Sequence, residues 1–439
     1  MRYHDGLCRS EKTLGLITLA ASLSMLGARD ADGQLAGKGL QAYGMAVQEM
    51  TVALGDPRRS VGDGLLASAR LMRLFEILFG QNSANPAQEA SSPQVDGYFA
   101  HTDGEMALFM KRGRSVIDTE VSRQLYADGR LVSFILGTTR RQRSLFSRPE
   151  WTSIPWDDLA KTPHDKLLDA MIHLPGLLED LDTISAHADP PDPQRQTLAT
   201  ERFLYRSRQV EQQLLRWKKN MGHQLDKFDF TKVGCDSNMP TAELDRDFAL
   251  IHLSCLFWGA CLLLYSAMEQ AQDLLPTGPA AEETGPDDDD ADADNDTTSS
   301  RQRSRSSSHE EHERSPSIHA SRIAHCIGQM FQPRAGNYGA MAALFPLGIT
   351  LRHLRPGAPA AAPPTAEPRA RSQEWRMLKE LFSRPFMGTY VGRFLSNLRR
   401  QDANPVALHG TRGGGPMERG AMGMEERARR WWNAHAESM

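Results

Sequence analysis

Between Ala249 and Met268 the chain runs for twenty residues, ALIHLSCLFWGACLLLYSAM, without a charged side chain. A segment this long and apolar has two stable environments, a lipid bilayer or the middle of a sizeable helical domain. The flanks favour the second. Asp245 and Asp247 precede the segment and Glu269 follows it, with no strong Lys or Arg bias on either side to orient a span. His252, Ser254 and Ser266 also lie within it. The expectation is a helix buried on all sides, and a single transmembrane span at 249–268 is the alternative. A second apolar run, Leu14 to Leu26, has the length of a signal-peptide core. Asp5 and Glu11 stand where such a peptide needs positive charge.

A core helix with no polar face requires amphipathic helices around it, and the sequence provides them. Asp63 opens a helix with Leu65, Leu66, Ala69, Met72, Phe75, Ile77 and Leu78 apolar, and Gly80 closes it. Thr162-Pro163-His164-Asp165 reads as a capping box with proline at the first helical position. Leu167, Leu168, Met171 and Ile172 then form a buried stripe that Pro175 ends. Phe203, Val210, Leu214, Trp217 and Met221 recur at sevens, fours and threes, the spacing of a long amphipathic helix. The alternating run Lys227-Phe228-Asp229-Phe230-Thr231 is the single strand-like pattern, too short to imply a sheet. The expected fold is all-α.

Two stretches break the helical pattern. From about 272 to 318 an acidic tract passes into a Ser/Arg run, Ser300 to Ser308, a composition that cannot bury a core. From Pro356 to Ser372 the chain is rich in Pro and Ala. Apolar helical sequence resumes after each, which predicts two disordered insertions between helices. The organisation expected is therefore helices over 1–271, an acidic and Ser/Arg-rich insertion at 272–318, helices again over 319–355, a Pro/Ala-rich linker at 356–372, and C-terminal helices over 373–439. These last include an amphipathic piece from Met417 to Ala436 with Trp431 and Trp432.

The formal net charge of the 439 residues is -4, which gives no general case for a nucleic-acid-binding surface. The figure conceals an asymmetry, because Glu282 to Asp296 holds nine acids and no base; the remainder would stand at +5. The five cysteines, Cys8, Cys235, Cys255, Cys261 and Cys326, are scattered and odd in number, which argues against a disulfide framework. Cys255 and Cys261 would point about 120° apart on a helix and are expected as small buried side chains.

Motifs for chemistry fail on inspection. Asp290, Asp292 and Asp294 have calcium-loop spacing, but Asn295 and Arg301 stand where a Gly and a Glu are needed. His309-Glu310-Glu311-His312 lacks the i, i+4 histidines of a zinc hydrolase. There is no phosphate-binding glycine loop, nucleophile elbow or dinucleotide fingerprint. No catalytic, cofactor-binding or metal-ligating residue is assigned.

The segment Tyr98 to Arg114, YFAHTDGEMALFMKRGR, carries a different kind of information. Taken alone it reads as a short helix capped by Asp103, apolar at Met106, Phe109 and Met110, and ended by a left-handed Gly113. His101 is expected to cap or pack. In the order of its neighbours, the segment resembles the fungal-specific transcription factor domain, the regulatory region of fungal zinc-cluster transcription factors. The positions that carry the resemblance are Phe99, His101, Gly104 and Arg112-Gly113, preceded by the helical segments within 13–80. They are followed by Arg130, the run Arg140 to Arg143, Phe146, Trp151, Trp156, Leu174-Pro175, Leu177-Leu178, Asp182, Trp217 and the apolar helix at 249–268. Ile323 to Leu354 resembles the late helix pair of that family.

The resemblance implies a multi-helix regulatory domain that controls RNA polymerase II transcription in the nucleus, acting through protein partners or a homo- or heterodimer. It also implies a zinc cluster of six cysteines, in two C-x2-C-x6-C units, that reads DNA. No C-x2-C pair exists in this sequence, so the expectation is either a truncated gene model or a cluster-less partner or co-regulator. Sequence-specific DNA binding by the chain as given is not expected, nor is an enzyme.

Overall fold

The computed structural model describes residues 2–80, 92–113, 119–153, 156, 160–186, 193–232, 239–275, 312–355, 368–384 and 387–402. Those residues form 15 α-helices joined by turns and short 3-10 segments, with no strand among them. The fold is all-α. It divides into two compact units, neither continuous in sequence. The first comprises 1–136, 145–168 and 379–439, and the second 137–144 and 169–378.

The first unit opens with α1 (Arg2–Ser10), α2 (Lys12–Arg29) and α3 (Gly33–Gly55). Glu11, in the flank that disqualified a signal peptide, caps α2 by accepting from the Thr13 backbone N–H at 3.0 Å, and it pairs with Arg59. The α2–α3 hairpin packs closely because its contact residues are small: a Cβ on Gly27 would lie 2.5 Å from the Ala36 nitrogen. α4 (Asp63–Phe79) runs between Gly62 and Gly80, as the sequence predicts, with Leu65, Leu66, Ala69, Met72 and Phe75 buried.

α5 (Pro93–Arg112) differs from expectation. Asp103 does not start a helix; it lies buried in the middle of one that begins at Ser92-Pro93. Its carboxylate misleads because the true start carries proline at the first helical position, where the missing N–H costs nothing. Gly113 does end the helix, at φ +56°. α6 (Glu120–Arg140) and α7 (Pro149–Ser153) follow. Phe109, Tyr126, Phe146 and Trp151 from this stretch form an aromatic cluster with centroids 5.2–6.1 Å apart. α8 (Pro163–Met171) starts with the predicted capping box: the Asp165 backbone N–H donates to Thr162 Oγ1 at 3.2 Å, and the Thr162 N–H donates to Asp165 Oδ2 at 3.0 Å.

In the second unit, α9 (Leu174–Ala186) and α10 (Pro193–Met221) lead to α11 (Asp245–Gln272). This is the apolar helix, and 78% of its most hydrophobic window is buried within the protein. Trp217 of α10 stacks on Phe257 at 5.4 Å. α12 (Pro316–Cys326) and α13 (Gly336–His353) pack on other sides of α11, and Gly259 lets the Ile349 side chain approach to where a Cβ would be 2.9 Å away. The strand-like run at Lys227 is not extended. It lies at the end of a 3-10 segment, Gly222–Phe228, followed by a turn held by Asp229, whose carboxylate is drawn inward by Arg322 at 3.2 Å.

α14 (Pro368–Glu380) and α15 (Met387–Asp402) complete the described chain. Both predicted insertions are too long at their C-terminal ends. His312 to Arg314 is helical and α12 begins at Pro316, whereas the insertion was drawn to 318; α14 begins at Pro368, inside the Pro/Ala-rich stretch. Residues 276–311, which include the Asp290–Asp294 motif and His309 to Glu311, residues 356–367, and the piece from Met417 to Ala436 lie outside the described residues.

Candidate functional site

Phe99, His101, Gly104 and Arg112 lie on α5, which is unusually polar for a helix with so little exposed surface. Gln94, His101 and Glu105 are fully buried, and Asp103 and Arg112 nearly so. Buried polar groups need partners, and neighbouring elements of the same unit supply them.

Three linked sets result. Near the start of α5, the Gln94 side-chain amide donates to the carbonyls of Glu76 and Ile77, at 2.8 and 3.1 Å, satisfying the last turn of α4. Asn397 of α15 donates to the Gln94 side-chain oxygen at 2.8 Å. In the middle, the Tyr43 hydroxyl donates to Glu76 and lies 2.7 Å from His101 Nε2. With the hydroxyl proton directed at Glu76, a hydrogen bond between Tyr43 and His101 needs the Nε2–H tautomer. Burial pushes the Glu76 carboxyl up to about 7, against the opposing effect of the Tyr43 hydrogen bond. Burial, the Glu76 charge and that same bond raise the Tyr43 hydroxyl well above its ordinary value. Further along, Glu105 accepts from Arg70 at 2.7 Å and from Arg73 at 2.9 Å, and Arg112 pairs with Asp63 at 2.5 Å. Burial raises the Asp63 carboxyl, but hydrogen bonds from Ser122 and Arg112 outweigh it and leave the group below the usual range.

A His–Tyr–Glu relay has the ingredients of proton-transfer chemistry, and backbone packs tightly against its carboxyl. A Cβ on Gly97 would sit 2.6 Å from the Glu76 carboxyl carbon, and one on Gly80 would sit 2.6 Å from the Glu76 carbonyl and 2.7 Å from Gln94. The carboxyl is enclosed by protein. The arrangement joins helices.

The other resemblance positions behave alike. Phe99 is buried against Tyr98, and Arg130 is wholly buried with its guanidinium 5.8 Å from the Trp156 ring centroid. The basic run ending at Arg143 is not a free surface. Arg141 pairs with Asp182 at 2.6 Å, and Arg143 pairs with Asp180 at 2.8 Å, both acids of α9. Among the described residues no group of three His, Cys, Asp or Glu side chains could hold a metal ion. Cys255 and Cys261 are both buried, as expected, but sequence spacing gave no sign that Cys326 would bring its sulfur to 3.4 Å from that of Cys255. Burial pushes the Cys326 thiol well up, together with its contact to Cys255, so Cys326 is a poor nucleophile.

No family model, curated protein or solved structure matches this chain.

Proposed function

We propose that the chain is the helical regulatory domain of a fungal transcription factor of the zinc-cluster type, acting in the nucleus on RNA polymerase II transcription. It works through protein partners or a dimer and performs no catalysis. The observation that carries this reading is the coincidence of the resemblance with the scaffold. His101, Arg112, Gly113 and Arg130 occupy buried or backbone-constrained positions, the kind a shared fold preserves whatever its partners. The succession of helices among the described residues is what such a domain requires.

The chief rival is a cluster-less co-regulator that pairs with a complete factor. The membrane reading loses its main support, because the surface that a bilayer would contact on α11 is largely covered by α9, α10, α12 and α13. Two measurements test the proposal. A fluorescent fusion of the full chain should accumulate in fungal nuclei. Tethered to a heterologous DNA-binding domain, the chain should raise or lower a reporter at least several-fold. Exclusion from the nucleus, together with an inert tether, would sink both regulatory readings.

A further inference from the structure

The outer face of α10 carries a row of cations that the fold does not neutralise. Arg202, Arg208, Arg216 and Lys219 are exposed and make no ion pair among the described residues. Their flanking neighbours are neutralised: Arg206 pairs with Asp180, and Lys218 pairs with Glu313 at 2.9 Å. Glu201 is the only exposed acid on the helix. Leu198, Tyr205 and Leu215, at 49%, 63% and 43% exposure, are interleaved with the cations, and Leu198, Arg202 and Tyr205 edge a shallow hollow. Arg202 to Lys219 spans about 25 Å along the axis, a long basic strip with apolar footholds.

We propose that this strip is a docking face for the acidic tract of the same chain, Glu282 to Asp296. Charge complementarity is the first ground, since the tract holds nine acids and no base. The second is where the chain re-enters the structure. Immediately after the tract and its Ser/Arg run, Glu313 pairs with Lys218 and Arg314 pairs with Glu211 at 2.8 Å, both on α10. A coil of sixteen steps, the separation of Asp296 and His312 in the sequence, spans roughly 22 Å root-mean-square. The tract is thus held within reach of the strip at an effective concentration on the order of millimolar. A second copy of the chain would instead set cations against cations. Occupied by the tract, the strip is withheld from other polyanions, nucleic acid among them. The proposal goes beyond the transcriptional reading and does not depend on it.

The test compares the full chain with a full-length variant whose nine acids between 282 and 296 are changed to Asn and Gln. The probes are a fluorescent peptide spanning 280–298 and a labelled 20-base-pair duplex of random sequence. At low salt the peptide should bind the neutralised chain at least tenfold more tightly than the intact chain, by anisotropy. That binding should vanish when Arg202, Arg208, Arg216 and Lys219 are all changed to Glu in the neutralised chain, with circular dichroism confirming retained helix. The duplex should likewise bind the neutralised chain better than the intact one. Equal peptide binding to the intact and neutralised chains would overturn the proposal, as would peptide binding that survives the four charge reversals. Duplex binding that ignores the tract would assign the strip to nucleic acid and overturn it as well.

Discussion

Glu313 holds Arg322, a guanidinium only 2% exposed, through two hydrogen bonds of 3.1 and 2.5 Å. The acid comes from the edge of a stretch whose composition looks wholly solvated, and it also accepts from Lys218. Burial would raise this carboxyl, but the bonds from Arg322 and Lys218 prevail and hold it far below the usual range. Glu313→Ala is therefore expected to cost about 3 kcal/mol, because it leaves a buried cation with Asp229 as its remaining acid. Replacing 276–311 with a short Gly/Ser linker should shift the melting temperature by no more than a few degrees, while a deletion extended to Ser317 should behave like the Ala variant. Denaturant unfolding of the three proteins checks the boundary.

Two buried sites, one in each unit, should respond oppositely to pH. In the first, Glu76 titrates in the folded state near 7, against an ordinary 4.5 in the unfolded chain. A raised carboxyl contributes stability that is complete below about 4.5 and is lost as pH rises through about 7. In the second, burial lowers His319 to about 3 and His353 to about 4, from an ordinary 6.5. A depressed histidine contributes stability that is complete above about 6.5 and is lost as pH falls toward its folded value. Hydrogen exchange at pH 5 and pH 8 should show α4 and α5 more protected at the lower pH, and α12 more protected at the higher. Glu76→Gln should remove the first trend and leave the second.

Close approaches in the first unit predict steric costs. A Cβ at position 129 would lie 2.5 Å from the Phe109 ring, inside the aromatic cluster. Gly129→Ala should destabilise by roughly 1–3 kcal/mol. Gly113→Ala should cost a similar amount, of order 1–3 kcal/mol, for a different reason: φ +56° with ψ −129° is a backbone conformation that L residues rarely adopt. Thermal midpoints of the two variants, with an unchanged helical spectrum, are the readout.

Thiol chemistry offers a further check. Cys8 is half-buried, whereas Cys255, Cys261 and Cys326 are buried, and burial drives the Cys261 thiol far up. Peptide-resolved alkylation of the native protein should label Cys8 at least tenfold faster than these three. Fast labelling at Cys326 would show that α12 does not pack on α11 as described.

Much of the fold is legible in the sequence wherever one helix contains its own explanation. The α4 stripe, the Thr162–Asp165 box and the apolar α11 all follow from spacing within a single segment. The readings fail where a residue's environment is set by a distant one. Asp103 resembles a cap because its burial depends on neighbours from elsewhere in the first unit. Glu313 resembles linker sequence because its partners are Arg322 and, 95 residues away, Lys218. Phe228 alternates with polar residues like a strand, yet Asp229 is turned inward by Arg322. The Tyr43–Glu76–His101 relay joins positions 33 and 58 residues apart, so no local pattern could announce it.

α15 bonds to the beginning of the fold. Arg393 donates to the Leu78 carbonyl and Asn397 to Gln94, across 315 and 303 residues of chain. During synthesis the helices of the first unit leave the ribosome long before the helix that satisfies these groups, and nearly all of the second unit is made in between. The nascent N-terminal helices can pack on one another, but the Gln94 side-chain oxygen stays short of Asn397 until the last described helix arrives. A premature stop anywhere before Met387 would leave the Leu78 carbonyl and the Gln94 side chain without these partners for good, which makes such a chain a natural substrate for chaperones and proteases.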